Sequence, residues 1–164
     1  MRRHSHSGEG SGERTLASAL EREHREIDRA VEAHLATRRE GQGHTEHLRE
    51  AMAALRRHIY LEEEFLFPPL RAAGLVAPIF VMLREHGELW RTMGSIERGL
   101  SGEKTGAEVP ACEQLLAQLE RHNSKEEPIL YPRADEVLGG RASAELTAFI
   151  ESGRMPPGWA CANA

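Results

Sequence analysis

The pattern His-x-x-x-Glu-Glu-x-[Phe/Ile]-Leu-[Phe/Tyr]-Pro runs from His58 to Pro68 and again from His122 to Pro132, the copies standing 64 residues apart. A shorter echo precedes each copy: Arg22-Glu23-His24-Arg25-Glu26-Ile27 and Arg84-Glu85-His86-Gly87-Glu88-Leu89, offset by 62 residues. Each half of the chain thus supplies one solitary histidine and one histidine with a glutamate four residues later. Residues four apart lie one above the other on a helix face. The imidazole and carboxylate of each pair can therefore reach one ion, or the carboxylate can bridge to a second. His24, His58, Glu62, His86, His122 and Glu126 offer four nitrogen and two carboxylate donors, which exceeds the four ligands of a structural zinc site. Imidazole and carboxylate without thiolate suit iron or manganese, with zinc as an alternative. The pattern favours a pair of irons bridged by Glu62 and Glu126. Without an ion the same six groups would be hard to bury, since an unpartnered polar group costs roughly 2–7 kcal/mol and a charge more.

Helices must bring these residues to one level. Leu20, His24, Ile27, Val31 and His34 recur at steps of four and three, the seam of one packed face. Ser18 with Glu21 reads as a capping box at its start, and Gly41 lies beyond its end. A second seam holds Leu48, Ala51, Leu55, His58, Glu62 and Phe65, and Pro68-Pro69 is expected to stop it for want of amide donors. Pro78 suits the first turn of a third helix, with Ile79, Leu83, His86, Trp90 and Met93 on its seam, and Ser101, Gly102 and Gly106 in the loop that follows. Pro110 opens a fourth, carrying Cys112, Leu115, Leu119, His122, Glu126 and Ile129, which Pro128 is expected to kink or end. After Gly139-Gly140 a short helix from about Ala142 to Glu151 presents Leu146, Phe149 and Ile150, and the last residues read as an irregular tail.

Loops this short make successive helices antiparallel neighbours. The expected fold class is all-α: an antiparallel up-down-up-down four-helix bundle over residues 15–138, with a disordered lead at 1–14 and a short helix and tail at 139–164. Counted from the first loop, His24 and His58 lie 14 and 13 residues away, and His86 and His122 stand at the same 14 and 13 from the third. From the middle loop His58 and His86 are each nine residues distant. At ~1.5 Å per residue the four levels agree within about 2 Å.

A chain of 164 residues has room for a real core. Its net charge of −5 leaves no basic excess to displace the counterions of a nucleic acid. The Ser/Gly-rich lead has no apolar stretch of the kind a secretory signal needs, and no run of 18 apolar residues follows it. A cytoplasmic protein without a membrane partner is expected, with His4 and His6 part of the disordered lead. Cys112 and Cys161, one in a helical pattern and one in the tail, suit unpaired thiols in a reducing compartment. Cys112 is ten residues from His122, too far to join its donors. Arg38-Arg39 and Arg56-Arg57 read as solvated doublets, and His34, His44 and His47 as surface or helix-end residues.

Between about Ser18 and Pro132 the chain resembles the hemerythrin-like, or HHE cation-binding, family. The resemblance rests on a lone histidine on helix one, His-x-x-x-Glu and Leu-Phe-Pro on helix two, a histidine on helix three, and His-x-x-x-Glu-Glu and Leu-Tyr-Pro on helix four. It implies a four-helix bundle around a non-haem diiron centre, bridged by two carboxylates and an oxo or hydroxo group, with His24, His58, Glu62, His86, His122 and Glu126 as ligands. Two positions depart from the oxygen-carrying hemerythrins. Their helix three has His-x-x-x-His, where Trp90 stands here, and their helix-four carboxylate is an aspartate five residues after the histidine, where Glu127 stands here. The internal repeat pairs Glu126 with Glu62, leaving Glu63 and Glu127 as alternates and Asp28, four residues after His24, as an added candidate. Trp90 either walls the site or fills core volume.

With one donor missing, the resemblance implies a more open coordination position, which weakens reversible O₂ carriage and favours binding or sensing of O₂, NO or iron. One alternative is a diiron enzyme acting on peroxide or NO, or donating iron for cluster repair, although no acid–base pair or nucleophile stands outside the ligand set. The other is a mononuclear or zinc-bound helical module that binds a protein partner.

Overall fold

The computed structural model describes residues 15–41 and 44–164. The lead expected to be disordered, with His4 and His6, lies outside the described residues. Every regular element among the described residues is helical: α1 (Leu16–Arg39), α2 (Glu46–Leu61), a π-helical turn (Glu62–Leu66), α3 (Phe67–Ala72), α4 (Val76–Ser101), α5 (Val109–Ile129), α6 (Tyr131–Val137) and α7 (Gly140–Ser152). α1 packs against α2 and α5, and α4 against α5 and α2.

α1 starts two residues before the expected capping box. Thr15, in extended conformation, accepts the Ser18 amide on its hydroxyl at 3.0 Å, which leaves the Ser18 hydroxyl to bond the Thr15 carbonyl. Asp135 of α6 accepts the Leu16 and Ala17 amides, so the orphan donors of the first turn are satisfied from across the fold.

Pro68-Pro69 does not stop the second helix. Beyond His58 the backbone widens into the π turn and then resumes as α3, whose first turn holds both prolines where no amide donor is needed. The second copy of the repeat is interrupted at the matching place by other means. Pro128, the counterpart of Glu64, closes α5 at Ile129, and α6 begins at Tyr131, the counterpart of Phe67. A π bulge inserts a residue into the turn and re-aims the side chains after it, a device common at functional sites. Here each interruption follows its glutamate and turns an aromatic residue back toward the interior.

The apolar interior falls into two clusters. One gathers Ile27, Leu55, Ile59, Leu89 and Leu119 with their neighbours, and the other Leu20, Leu61, Leu66, Met82, Leu130 and theirs. The chain passes from one cluster to the other at the polar seam residues: between Leu20 and Ile27, Leu55 and Leu66, Met82 and Leu89, and Leu119 and Leu130. His24, His58, Glu62, His86, His122 and Glu126 therefore form one layer between two apolar blocks.

Three expectations are corrected at the periphery. Arg38 pairs with the buried Glu108 at 2.6 Å, and the same carboxylate oxygen meets His34 at 3.0 Å, so His34 is a buried residue. Arg56 pairs with Glu97, while Arg57 binds Glu23 and the carbonyls of Phe149, Ile150 and Gly153, tying the end of α7 to α1. Neither arginine doublet is simply solvated. The tail after α7 is irregular, as expected, but it is docked. Cys161 is buried in the same cluster as Cys112, both thiols free. Ala162 donates its amide to Glu63 at 2.9 Å, and Arg91 reaches the Asn163 carbonyl.

Gly87 permits that docking, because a Cβ there would collide with the Asn163 carbonyl and side chain. Gly87→Ala should push the tail off α4 at a cost of about 1–3 kcal/mol. Hydrogen exchange would show the amides of Ala162 and Ala164 losing protection while the α1 and α5 interiors keep theirs.

Candidate metal centre

Four helices contribute to the layer: His24 from α1, His58 from α2 with Glu62 opening the π turn, His86 from α4, and His122 and Glu126 from α5. All six side chains are buried, and Glu62, His86 and Glu126 are wholly withdrawn from solvent. They form two groups, each able to hold an ion: His24, His58, Glu62 and Glu126, and Glu62, His86, His122 and Glu126. Donor atoms within a group lie within 4.8 Å of one another, and both glutamates belong to both groups. Ions held at both groups would share the two carboxylates.

The imidazoles all aim Nε2 inward. His24 Nε2 and His58 Nε2 are 2.9 Å apart, and His86 Nε2 is 3.2 Å from Glu62 Oε1. His24 Nε2 lies 3.2 Å from Glu126 Oε1, and His122 Nε2 lies 3.4 Å from Glu126 Oε2. Each outward Nδ1 faces a carboxylate of another helix. His58 Nδ1–H donates to Glu23 at 2.8 Å, His86 to Glu63 at 2.7 Å and His122 to Glu85 at 3.0 Å. Glu127 stands 3.7 Å from His24 Nδ1, outside hydrogen-bond reach. A proton held on Nδ1 leaves the Nε2 lone pair free, the tautomer a metal-bound histidine needs, and the carboxylate behind it raises ligand basicity.

These outer carboxylates follow the repeat. Glu23 and Glu85 precede the solitary histidines and support the histidines of the neighbouring helices, while Glu63 and Glu127 follow the two central glutamates and face His86 and His24. Sequence reasoning held Glu63 and Glu127 as alternate ligands; the structure puts them behind the imidazoles, in neither donor group. It overlooked Glu23 and Glu85, although both stand inside the quoted Arg-Glu-His echo. It also overlooked Tyr131, whose hydroxyl sits within the layer. Asp28 is in neither group. It lines an open groove of about 670 Å³ between α1 and α5, with Glu32, Glu120 and Glu127, that reaches His24. Trp90 does not wall the site. It packs edge-on against Trp159 of the tail, with Arg56 over its ring.

Electrostatics draw positive charge into this layer. Burial alone would lower the His122 pKa, but Glu126, Glu85 and Glu62 outweigh it and lift it to about 10. His58 and His86 are raised for the same reason, each against its own burial, by Glu62 and an outer carboxylate. Burial pushes the Glu85 carboxyl up, yet His122 and Lys125 prevail and bring it to about 2. Glu23 is lowered against its burial by His58 and Arg57.

Hydrogen bonding within the layer leaves an acceptor over. Glu126 Oε2 is buried and receives no hydrogen bond despite its approach to His122. Glu62 pairs with the imidazoles of His58 and His86, and Glu126 with those of His24 and His122. Four inward imidazoles around two shared carboxylates fit a pair of cations, and no thiolate is among them. A cavity of about 10 Å³, enough for roughly one water-sized molecule, is bordered by His24, His58, Glu62, His86 and His122 on one side and by Ile27, Leu55, Ile59, Leu89 and Leu119 on the other.

The hemerythrin HHE cation-binding domain matches residues 15–134. The chain belongs to that family, and the family together with the His/Glu groups identifies a metal-binding protein. Searches among curated proteins and among solved structures return no match.

The outer carboxylates should set affinity without touching an ion. Glu85→Ala, which leaves His122 without its Nδ1 acceptor, is expected to weaken metal binding by about 10–100-fold. Competition with a chelator would measure it, with the exposed Glu145→Ala as the unaffected control.

Proposed function

We propose that this chain holds two iron ions and binds or senses a diatomic molecule, O₂ or NO. The observation that carries this reading is the sharing of Glu62 and Glu126 between two four-donor groups. A mononuclear or zinc-only module would not need a second pair of buried imidazoles supported by Glu63 and Glu85. Bound there, an iron pair supplies redox-active positions at which small molecules exchange.

The chain's own residues define what can reach those positions. The cavity between the histidines and the aliphatic side chains of Ile27, Leu55, Ile59, Leu89 and Leu119 has room for about one water-sized molecule, which supports a small ligand over a bulky one. His58, His86 and His122 are held by outer carboxylates, so their Nε2 atoms keep their aim when ions enter or leave. The groove past Asp28 and Glu127 offers a polar approach to His24 from the surface.

The architecture supporting this function is the antiparallel up-down-up-down bundle, a reading favoured by the short connections and the pairwise packing of α1, α2, α4 and α5. A reducing cytoplasm suits the two free cysteines. No helix among the described residues is long and apolar enough to cross a membrane.

Anaerobic loading with ferrous iron, followed by metal quantitation and absorption spectra with O₂, NO and azide, tests the proposal. Two irons per chain and a stoichiometric spectral response to NO or O₂ are expected. His58→Ala and His122→Ala should each lower iron content below that of the wild type. Unchanged content in both variants would sink the ligand assignment. Sustained turnover of peroxide or NO would move the protein to the enzyme reading.

A further inference from the structure

The repeat makes the two ion positions near-equivalent except at one place. Where the first copy has Phe67, the second has Tyr131. Phe67 stacks on His86, ring centroids 5.4 Å apart and 19° from parallel, and brings no donor atom. Tyr131 is fully buried, and its Oη reaches His24 Nε2 at 2.7 Å, His58 Nε2 at 3.0 Å, Glu62 Oε2 at 2.9 Å and Glu126 Oε1 at 2.8 Å. Those four residues are the whole of one ion group.

We propose that Tyr131 is a metal ligand: as phenolate it completes the His24/His58 position, leaving the His86/His122 position as the one open to an outside molecule. This inference rests on the diiron reading above. A phenol has one hydrogen to donate, so as a hydrogen-bonding group it can serve only one of the two carboxylates, and even if both imidazoles donated to its oxygen one carboxylate oxygen would still lie against it unpaired. A ligand role resolves the crowding. For metal–ligand bonds of about 2.1 Å, adjacent donors of an octahedral ion lie about 3.0 Å apart, the spacing Tyr131 Oη keeps from all four residues.

The first position then has five protein donors and the second has four. On binding, the phenolic O–H bond breaks, the oxygen lone pair forms the bond to the ion, and the proton leaves to solvent; no electron is transferred. By donor number the ion between His86 and His122 keeps the open position, and an outside molecule reaches it through the cavity that borders all four histidines.

The chain has two tyrosines, Tyr60 and Tyr131. Tyr60 packs among Phe65, Phe149 and Trp159, away from the layer. The test is resonance Raman spectroscopy of the iron-loaded protein after oxidation to the ferric state with ferricyanide. Tyrosinate–iron modes are expected in the wild type and in Tyr60→Phe, and their loss is expected in Tyr131→Phe at an unchanged iron content. Ring-deuterated tyrosine incorporated into Tyr60→Phe labels Tyr131 alone and should shift the modes, a measurement that does not require Tyr131→Phe to fold. Two irons per chain without tyrosinate modes would overturn this assignment and leave the diiron reading standing. One iron per chain with those modes would support Tyr131 as a ligand and overturn the diiron reading, whereas a protein that takes up no iron overturns both.

Discussion

Glu62 and Glu126 are two carboxylates withdrawn from water in the middle of an apolar interior, paired with imidazoles rather than with lysine or arginine. A buried ion costs several kcal/mol even after the protein relaxes around it, and two acids sharing one small volume repel each other. Such a layer persists only if positive charge enters it. The four imidazoles turn Nε2 toward the carboxylates and draw their own support from outside the layer, through Glu23, Glu63, Glu85 and, more loosely, Glu127. The apolar clusters on either side keep water out, which strengthens each of those interactions. The remainder of the fold can be understood as the means of holding this layer at one level.

The duplicated sequence gives the centre an approximate twofold logic, and the exceptions to it carry the specificity. Both halves interrupt a helix just after its glutamate, one through a π turn and the other through Pro128, and each returns an aromatic residue to the layer. One of those aromatics is a phenol and the other a phenyl ring. On the α1 side, Glu127 stands back from His24 and a groove opens; on the α4 side, Glu63 holds His86 closely and is itself held by the tail amide of Ala162. Two donor groups built from the same motif are thus unlike in their aromatic neighbour and in access.

The periphery is coupled to the centre through short chains of contacts. Arg57 links the final carbonyls of α7 to Glu23, and Glu23 links to His58. The tail reaches Glu63, and Glu63 reaches His86. The segments after residue 138 are therefore more than an appendage, because they fix two carboxylates that orient two of the four histidines. This dependence also explains a small residue at position 87 on a helix that could otherwise have carried a side chain there.

What the chain determines by itself is whatever follows from periodicity and local stereochemistry. Histidine and glutamate at i and i+4 share a helix face in any setting, and seams at steps of three and four specify helices with an inward side. The six inward donors and the helical class were legible for that reason, as were the turn at Gly41 and the helix start near Pro110. Tertiary structure alone decided matters that depend on distant partners. Thr15 displaced Ser18 as the cap because α6 supplies Asp135 alongside it. Pro68-Pro69 failed as a stop because a π turn placed both prolines where a helix has no amide to lose. His34 was buried and Arg38 partly buried against Glu108, some 70 residues away, and Trp90 packs at the edge of the core against a tail whose path no local rule predicts. Glu23, Glu85 and Tyr131 acquired their places in the centre because the helices met at one height, and a contact between elements has no signature in the spacing within either of them.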